Sequence, residues 1–90
     1  MFCRAPVLDI VIPVYNEVRT LEHLIERVRD VPMDKEIVCV NDASRDGSGE
    51  VLDRLLAEGR IDVVLHHPVN RGKGAAIRTA IGAATGDVIV

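Results

Sequence analysis

Aromatic side chains are almost absent from this chain of 90 residues. They make up 2% of the sequence, as Phe2 and Tyr15, and there is no tryptophan. The core must therefore be built from the aliphatic side chains that supply most of the 48% hydrophobic fraction. Tyr15 stands in a polar segment, where its ring needs a purpose other than filling the core.

Cysteine, net charge and long apolar runs are scarce as well. Cys3 and Cys39 form no disulfide framework, and Cys39 lies in an apolar run that predicts a small buried hydrophobe in a reducing compartment. The net charge of −3 has its signs interspersed, which excludes the basic footprint of a nucleic-acid binder and a polybasic membrane patch. The chain contains no run of about 18 apolar residues that could cross a bilayer, and it has no signal-peptide pattern. These absences favour a cytoplasmic location, with membrane association of a longer parent protein left open.

The apolar residues that are present alternate between two patterns. Short runs rich in Val and Ile, typical of strands buried on both faces, occur at 6–14, 35–41, 61–67 and 86–90. Segments with helical spacing lie between them. The order β-α-β-α-β-α-β predicts that residues 1–90 form an α/β structure, with a mostly parallel sheet and helices on both faces, as the front part of a longer domain.

Each helical segment carries one apolar stripe with spacings of three and four residues. Gly59 and Gly86 stand where helix C-caps are expected. The stripes consist of Leu21, Leu24, Ile25 and Val28, then Val51, Leu52, Leu55 and Leu56, then Ala76, Ile77, Ala80, Ile81 and Ala84.

The segment NRGKGAAIRTA (70–80) follows the third predicted strand, and open parallel sheets bind ligands beyond the carboxyl ends of their strands. It matches neither the Walker phosphate loop nor the G-x-G-x-x-G fingerprint. Gly72 and Gly74 still let the backbone approach a ligand, and Arg71 and Lys73 place positive charge at a helix N-terminus, where anions are favoured. The alternative is a flexible helix start with solvated charges, and spacing alone does not decide between the two.

The segment IPVYNE (12–17) also has two interpretations. Tyr15, beyond the first strand, offers a flat apolar face on which a planar base could stack. Alternatively, Asn16 caps the next helix, Glu17 complements its dipole and Tyr15 rests on the surface.

The segment VNDASRDGS (40–48) is equally ambiguous. Asp42 could accept a hydrogen bond from a base N–H or a ribose hydroxyl. As a simple turn, Asp46 would cap a helix beginning near Gly47, and Asp42 and Ser44 would form local turns. His66 and His67 have no Cys or carboxylate at metal-ligand spacing. They are interpreted as polar residues at the end of a strand.

Taken together, these loops resemble the N-terminal half of a family 2 glycosyltransferase. The matching series runs in register along nearly the whole chain as IPVYNE, IVCVNDASRDGS, NRGKGAAIRTAI and ATGDVIV. The YNE and NRGKGAAIRTA segments most resemble polyprenyl-phosphate enzymes such as dolichyl-phosphate mannose or glucose synthases. The resemblance implies a three-layer, Rossmann-like GT-A nucleotide-binding fold. It also implies transfer of a sugar from a UDP- or GDP-sugar to a lipid phosphate or another acceptor.

The resemblance further implies roles for individual residues. Tyr15 would stack on the base, and Asp42 matches the second acid of the family's Asp-Asp pair, which holds the base. Asn41 stands where the first acid often is, a departure that still permits hydrogen bonding, and Lys73 is the preferred cation near the nucleotide. The implied nucleotide-binding set is Pro13, Tyr15, Glu17, Asn41, Asp42, Gly72, Lys73 and Gly74.

The family places an Asp-x-Asp metal motif directly after the segment that matches GDVIV, and this sequence ends at Val90. Mg²⁺ or Mn²⁺ is therefore expected in a full-length enzyme, with ligands beyond Val90 that neutralise the diphosphate. The catalytic base and the acceptor site would lie there too. We expect the 90 residues alone to bind nucleotide poorly and to transfer no sugar. The apolar strand at Val90 would be an exposed sheet edge that favours dimerisation.

Two other functions compete with an inverting lipid-phosphate sugar transferase. A non-catalytic nucleotide- or partner-binding α/β module would be complete at 90 residues. A nucleotidyltransferase or dehydrogenase on a doubly wound sheet is disfavoured, because the glycine fingerprint after the first strand is missing.

Overall fold

The computed structural model describes residues 8–32, 34–83 and 88–89. Within these ranges strands and helices alternate in the predicted order. The elements are β1 (Leu8–Val14), α1 (Val18–Arg29), β2 (Lys35–Asn41), α2 (Ser48–Ala57), β3 (Val63–His66), α3 (Lys73–Ala83) and β4 (Val88–Ile89).

The strands form one parallel sheet in the order β3-β2-β1-β4. From β1 the chain first moves outward to β2 and β3, and then returns to pair β4 with the other side of β1. This reversal creates a switch point at β1, where open α/β sheets form a ligand crevice beyond the carboxyl ends of the strands. The register pairs Val14 with Asn41 and Asn41 with His66, so three strands end at the same level.

β3 is shorter than the predicted run 61–67. The ladder nevertheless extends beyond it at both ends, because the amide of Asp62 donates to the Ile37 carbonyl at 3.0 Å and that of His67 to the Asn41 carbonyl at 2.9 Å. His67 is therefore fixed beside the end of β2 although it lies outside the strand.

The two faces of the sheet are covered differently. On one face, α1 and α2 bury large aliphatic side chains that are fully inaccessible: Leu21, Ile25, Leu52 and Leu55. On the other, α3 packs on Val38 and Val40 through Ala76 and Ala80. Alanines at the contact let α3 lie close to the sheet, so its N-terminus stays near the ends of β1 and β2.

Two smaller predictions about the fold are confirmed. Gly59 has φ +76° after α2, and the amides of Gly59 and Arg60 donate to the carbonyls of Leu56 and Leu55, which is a Schellman C-cap. Cys39 is fully buried, and burial, with a smaller effect of the Asp62 carboxylate, raises the pKa of its thiol to about 12. Gly86 lies outside the described residues.

Candidate functional site

Three loops meet at the carboxyl edge of the sheet. Loop 1 (residues 15–17) joins β1 to α1, loop 2 (residues 42–47) joins β2 to α2, and loop 3 (residues 67–72) joins β3 to α3. Because their strands end at the same level, side chains separated by about thirty residues in sequence come into direct contact here.

Asp42 joins loop 2 to loop 3. Its Oδ1 accepts a hydrogen bond from the Arg71 amide and its Oδ2 accepts one from the Gly72 amide, each at 2.9 Å. The residue is 3% exposed. The local turn considered for Asp42 from the sequence is therefore wrong for its side chain, which reaches across to the next loop.

His67 also forms a hydrogen bond with the Asp42 carboxylate. Its Nδ1 lies 2.9 Å from Oδ1 of Asp42, and its Nε2 lies 2.9 Å from the Thr79 hydroxyl on α3. The Arg71 amide is the largest influence that lowers the pKa of Asp42, followed by the His67 hydrogen bond, while burial acts in the opposite direction. Asp42 is thus held as a carboxylate that faces three donors of loop 3.

Loop 3 is closed by Asn70 and Gly72. The Asn70 side-chain amide donates to the Asp42 carbonyl at 3.3 Å, and its oxygen accepts from the Gly72 amide at 3.2 Å. Gly72 has φ +90°, a backbone conformation that residues other than glycine rarely adopt. The glycine identified in the sequence is therefore required by the left-handed turn of the loop, and its approach to a ligand stays a prediction.

Asn41 points away from the crevice, under the start of α2. Its Oδ1 accepts from the Ser44 amide at 2.9 Å, and its Nδ2 lies 3.0 Å from Nδ1 of His66. A Cβ on Gly49 would meet Nδ2 at 2.8 Å, so a larger residue there would push the Asn41 side-chain amide out of its present position. The local turn in loop 2 thus belongs to Asn41.

Loops 1 and 2 are joined by reciprocal hydrogen bonds. The Asn16 amide donates to the Ser44 hydroxyl at 3.0 Å, and the Arg45 amide donates to Oδ1 of Asn16 at 2.8 Å. Asn16 has φ +50°, a left-handed conformation that asparagine tolerates better than most residues. The interpretation of Asn16 as a helix cap is therefore wrong, since its side chain binds loop 2.

The amides at the N-terminus of α1 instead donate to Asp46 of loop 2 and to Ser48, the first residue of α2. The Glu17 amide donates to the Ser48 hydroxyl at 3.0 Å, and the Val18 amide donates to Oδ2 of Asp46 at 3.1 Å. Oδ1 of Asp46 also accepts from the Ser48 amide at 3.0 Å. Gly47, not Asp46, occupies the N-cap of α2, but the Asp46 carboxylate still binds its first turn. The Ser48 hydroxyl is the first cause of the lowered pKa of Asp46.

A cavity of about 420 Å³ opens between loop 1, loop 3 and the carboxyl half of β1. Its floor is apolar, and Tyr15 stands at its rim with 46% of its surface exposed. The cavity wall contains most of the residues singled out from the sequence: Pro13, Tyr15, Glu17, Asp42, Gly72 and Lys73.

A second cavity, of about 450 Å³, lies between loops 2 and 3. It shares Tyr15 and Asn70 with the first and is lined by Asn41 and Arg45 as well. Gly74 lies in the first turn of α3, with open space where a Cβ would be placed. The structure thus brings Asn41 beside the second cavity rather than the first.

Uncompensated positive charge collects at this edge. Within the described residues, no ion pair forms on the side chains of Arg45, Arg71 or Lys73, and all three are exposed. In contrast, Arg54 and Arg60 on the opposite side are paired with glutamates of α1 and the end of α2. These three cations are available to an anion, although the carboxylates of Glu17 and Asp42 line the same cavity as Lys73.

The described residues do not form a metal site. No three His, Cys, Asp or Glu side chains in the ranges 8–32, 34–83 and 88–89 are grouped so that they could hold a metal ion. The divalent cation implied by the family resemblance would need ligands from elsewhere.

Sequence reasoning missed His67 and Thr79. The strand-end position of His67 was visible, but its partner Asp42 is 25 residues away, and nothing in the spacing joined the two. Thr79 was hidden in a helical segment whose apolar stripe drew attention to its neighbours.

The fold is that of GT-A glycosyltransferases, as predicted. A mannosyltransferase from Pyrobaculum calidifontis, solved in complex with GDP-Man and Mn²⁺, matches with a TM-score of 0.85 at 25% identity, over 96% of this chain and 26% of its own. S. aureus TarS 1-349 matches with a TM-score of 0.80 at 19% identity, over 92% of this chain and 26% of its own.

The chain belongs to glycosyl transferase family 2, whose family model matches residues 9–90. Relatives include an undecaprenyl-phosphate mannosyltransferase of Micrococcus luteus, 38% identical over 73% of this chain. A dolichyl-phosphate beta-glucosyltransferase of Trichomonas vaginalis is 33% identical over 92% of this chain. The chain spans only 27% and 28% of the lengths of these two relatives. No helix in the described part has the length and apolar character needed to cross a membrane.

Proposed function

We propose that these residues supply the nucleotide-sugar-binding part of an inverting glycosyltransferase that moves a sugar from a UDP- or GDP-sugar to a polyprenyl phosphate. The observation that carries the proposal is the cavity at the β1 switch point, where Tyr15, Asp42 and Lys73 converge. The activities named for the relatives support the acceptor class. The GDP-Man bound to the Pyrobaculum calidifontis mannosyltransferase and the UDP bound to S. aureus TarS 1-349 support the donor class.

Each side chain has a part that suits its chemistry. The Tyr15 ring is exposed at the rim, where it can stack on a base. Asp42 uses three acceptor positions within the protein and keeps about one of the four that a carboxylate offers. That position suits one ring N–H, which both uracil and guanine present.

The phosphates would be held by the positive side of the site. Lys73 begins α3, so its ammonium group and the free amides of the helix N-terminus favour the same anion. A divalent Mg²⁺ or Mn²⁺ would neutralise the diphosphate when bound, with ligands outside the described residues. A lipid-linked acceptor would require the intact protein to work at a membrane surface.

Calorimetric titration of the intact gene product with UDP and with GDP tests the donor site. We expect Tyr15→Ala and Asp42→Ala each to weaken binding by about tenfold, since each removes a stacking surface or a hydrogen bond to a charged group. Asp34→Ala, at the amino edge of the sheet, is the matched control and should bind like the wild type. If neither site variant weakens binding, the assignment of the base site is wrong.

A transfer assay separates an enzyme from a non-catalytic nucleotide-binding module. The intact protein should transfer labelled sugar to polyprenyl phosphate in the presence of Mg²⁺ or Mn²⁺, whereas the 90 residues alone should not. Binding without transfer by the intact protein would favour the module.

A further inference from the structure

The proposed function gives no part to His67, although it is the least exposed polar residue of loop 3. It is 8% exposed, and each ring nitrogen has a partner at 2.9 Å, Asp42 on one side and Thr79 on the other. The Thr79 hydroxyl also lies 3.0 Å from the Ala75 carbonyl, and its single hydrogen can serve only one of these two contacts at a time. A buried ring with both nitrogens engaged connects loop 2 to α3.

The hydrogen on Nδ1 of His67 follows from its partner. An ionised carboxylate can only accept, so Nδ1 must carry the hydrogen that Asp42 receives. The neighbouring His66 ring carries its hydrogen on the other nitrogen, Nε2. Because the Ser44 amide fixes the Asn41 oxygen, Nδ2 of Asn41 must donate to Nδ1 of His66, whose Nε2 then donates to Asp53.

The contact with His67 restricts a carboxylate that would otherwise rotate. The Arg71 and Gly72 amides both come from loop 3. The His67 ring is hydrogen-bonded to Thr79 on α3, so the Asp42 carboxylate is held in a fixed position relative to that helix. Binding groups that are positioned in advance lose less freedom when the ligand arrives.

We propose that His67, anchored by Thr79, is a positioning residue that orients Asp42 and the loop leading to Lys73 for the nucleotide. This inference rests on the proposed function. It assigns His67 no contact with the base; it acts through the direction in which Asp42 presents its remaining acceptor position.

Two substitutions at His67 separate its two contacts. In His67→Asn the side-chain amide lies near the place of Nδ1 and can still donate to Asp42, but it cannot reach Thr79. In His67→Gln the amide lies near the place of Nε2 and loses the Asp42 contact. We expect His67→Gln to weaken UDP or GDP binding by about tenfold and His67→Asn by about threefold or less. His23→Gln, on the exposed side of α1, is the matched control.

Thr79 provides a second pair of variants at little risk to folding. Thr79→Val keeps the shape and removes the hydroxyl, whereas Thr79→Ser keeps the hydroxyl. Thr79→Val should weaken nucleotide binding by about threefold, because like His67→Asn it removes only the contact between these two residues, and Thr79→Ser should restore it. Thr20→Val, at an exposed position of α1, should have no effect.

The measurements are nucleotide affinity by calorimetry, stability in urea, and ring-nitrogen NMR of the wild type. Loss of stability with unchanged affinity in His67→Gln and Thr79→Val would overturn the positioning role and leave the proposed function standing. A wild type that binds neither UDP nor GDP would overturn both. If His67→Gln fails to fold, the Thr79 pair decides. An NMR result with no hydrogen on Nδ1 of His67 would overturn the inference whichever variants fold.

Discussion

At the scale of single residues, Asp42 shows how the fold sets a charge. Its carboxylate accepts hydrogen bonds from the Arg71 and Gly72 amides and from His67. All three lower its pKa from the ordinary 3.8, with the Arg71 amide contributing most. A carboxylate that is easier to ionise in the folded chain than in the unfolded chain stabilises the fold only while it is charged.

We expect the contribution of Asp42 to be complete above its ordinary pKa of 3.8 and to be lost as the pH falls through the lowered folded value. Asp42→Asn should therefore reduce the free energy of unfolding more at about pH 6 than at about pH 2. Urea unfolding of the two proteins across this range measures the difference, with Asp34→Asn as a control for the loss of one negative charge. An equal deficit at both ends of the range would contradict the assignment of these hydrogen bonds to the ionised form.

At the scale of elements, the contrast between the two faces of the sheet has a measurable result. Ala80 on α3 is fully buried against the sheet, next to Val38 and Val40. Ala80→Leu would add bulk where there is no room, so α3 should shift or the core should strain. We expect a loss of about 1–3 kcal/mol in the free energy of unfolding, measured in urea.

The matched change for Ala80→Leu is Arg78→Leu, which places the same side chain on the exposed face of α3. It should alter the free energy of unfolding by about 0.5 kcal/mol or less. Similar losses for both variants would mean that helix propensity, and not close packing, governs α3.

The sequence predicted the elements well because their patterns are local. The Val-rich runs and apolar stripes each lie within about ten residues, and the rule for parallel sheets then places Tyr15, Asp42 and Lys73 at one edge. Contacts between loops could not be predicted in this way. The partnership of His67 with Asp42 and the direction of Asn41 depend on strand register, which is set by the whole sheet.

At the scale of the whole molecule, β1 has a side that is only partly covered. Among the described residues, Val88 and Ile89 pair with it opposite Leu8 and Asp9, and nothing there pairs with the rest of that side. An uncovered strand of Val, Ile and Pro residues offers backbone groups to another chain.

We expect the 90 residues to self-associate in a concentration-dependent way, as sedimentation would detect. Because edge pairing uses backbone hydrogen bonds and apolar contact, about 0.5 M salt should leave the association in place. Dissociation by salt would point instead to the exposed cations of the loops. A monomer at every concentration would show that the uncovered side of β1 does not pair with another chain.

The hydrogen bonds between the start of α1 and the start of α2 depend on the order in which the chain is synthesised. The acceptors for the Glu17 and Val18 amides are Ser48 and Asp46, which follow them by 31 and 28 residues. On a ribosome, α1 is therefore synthesised with its first amides lacking these partners, and it can be completed only after loop 2 has emerged. The unit of β1 and α1 is not a transferable module, since grafting it elsewhere without residues 46–48 would leave the new helix frayed at its start.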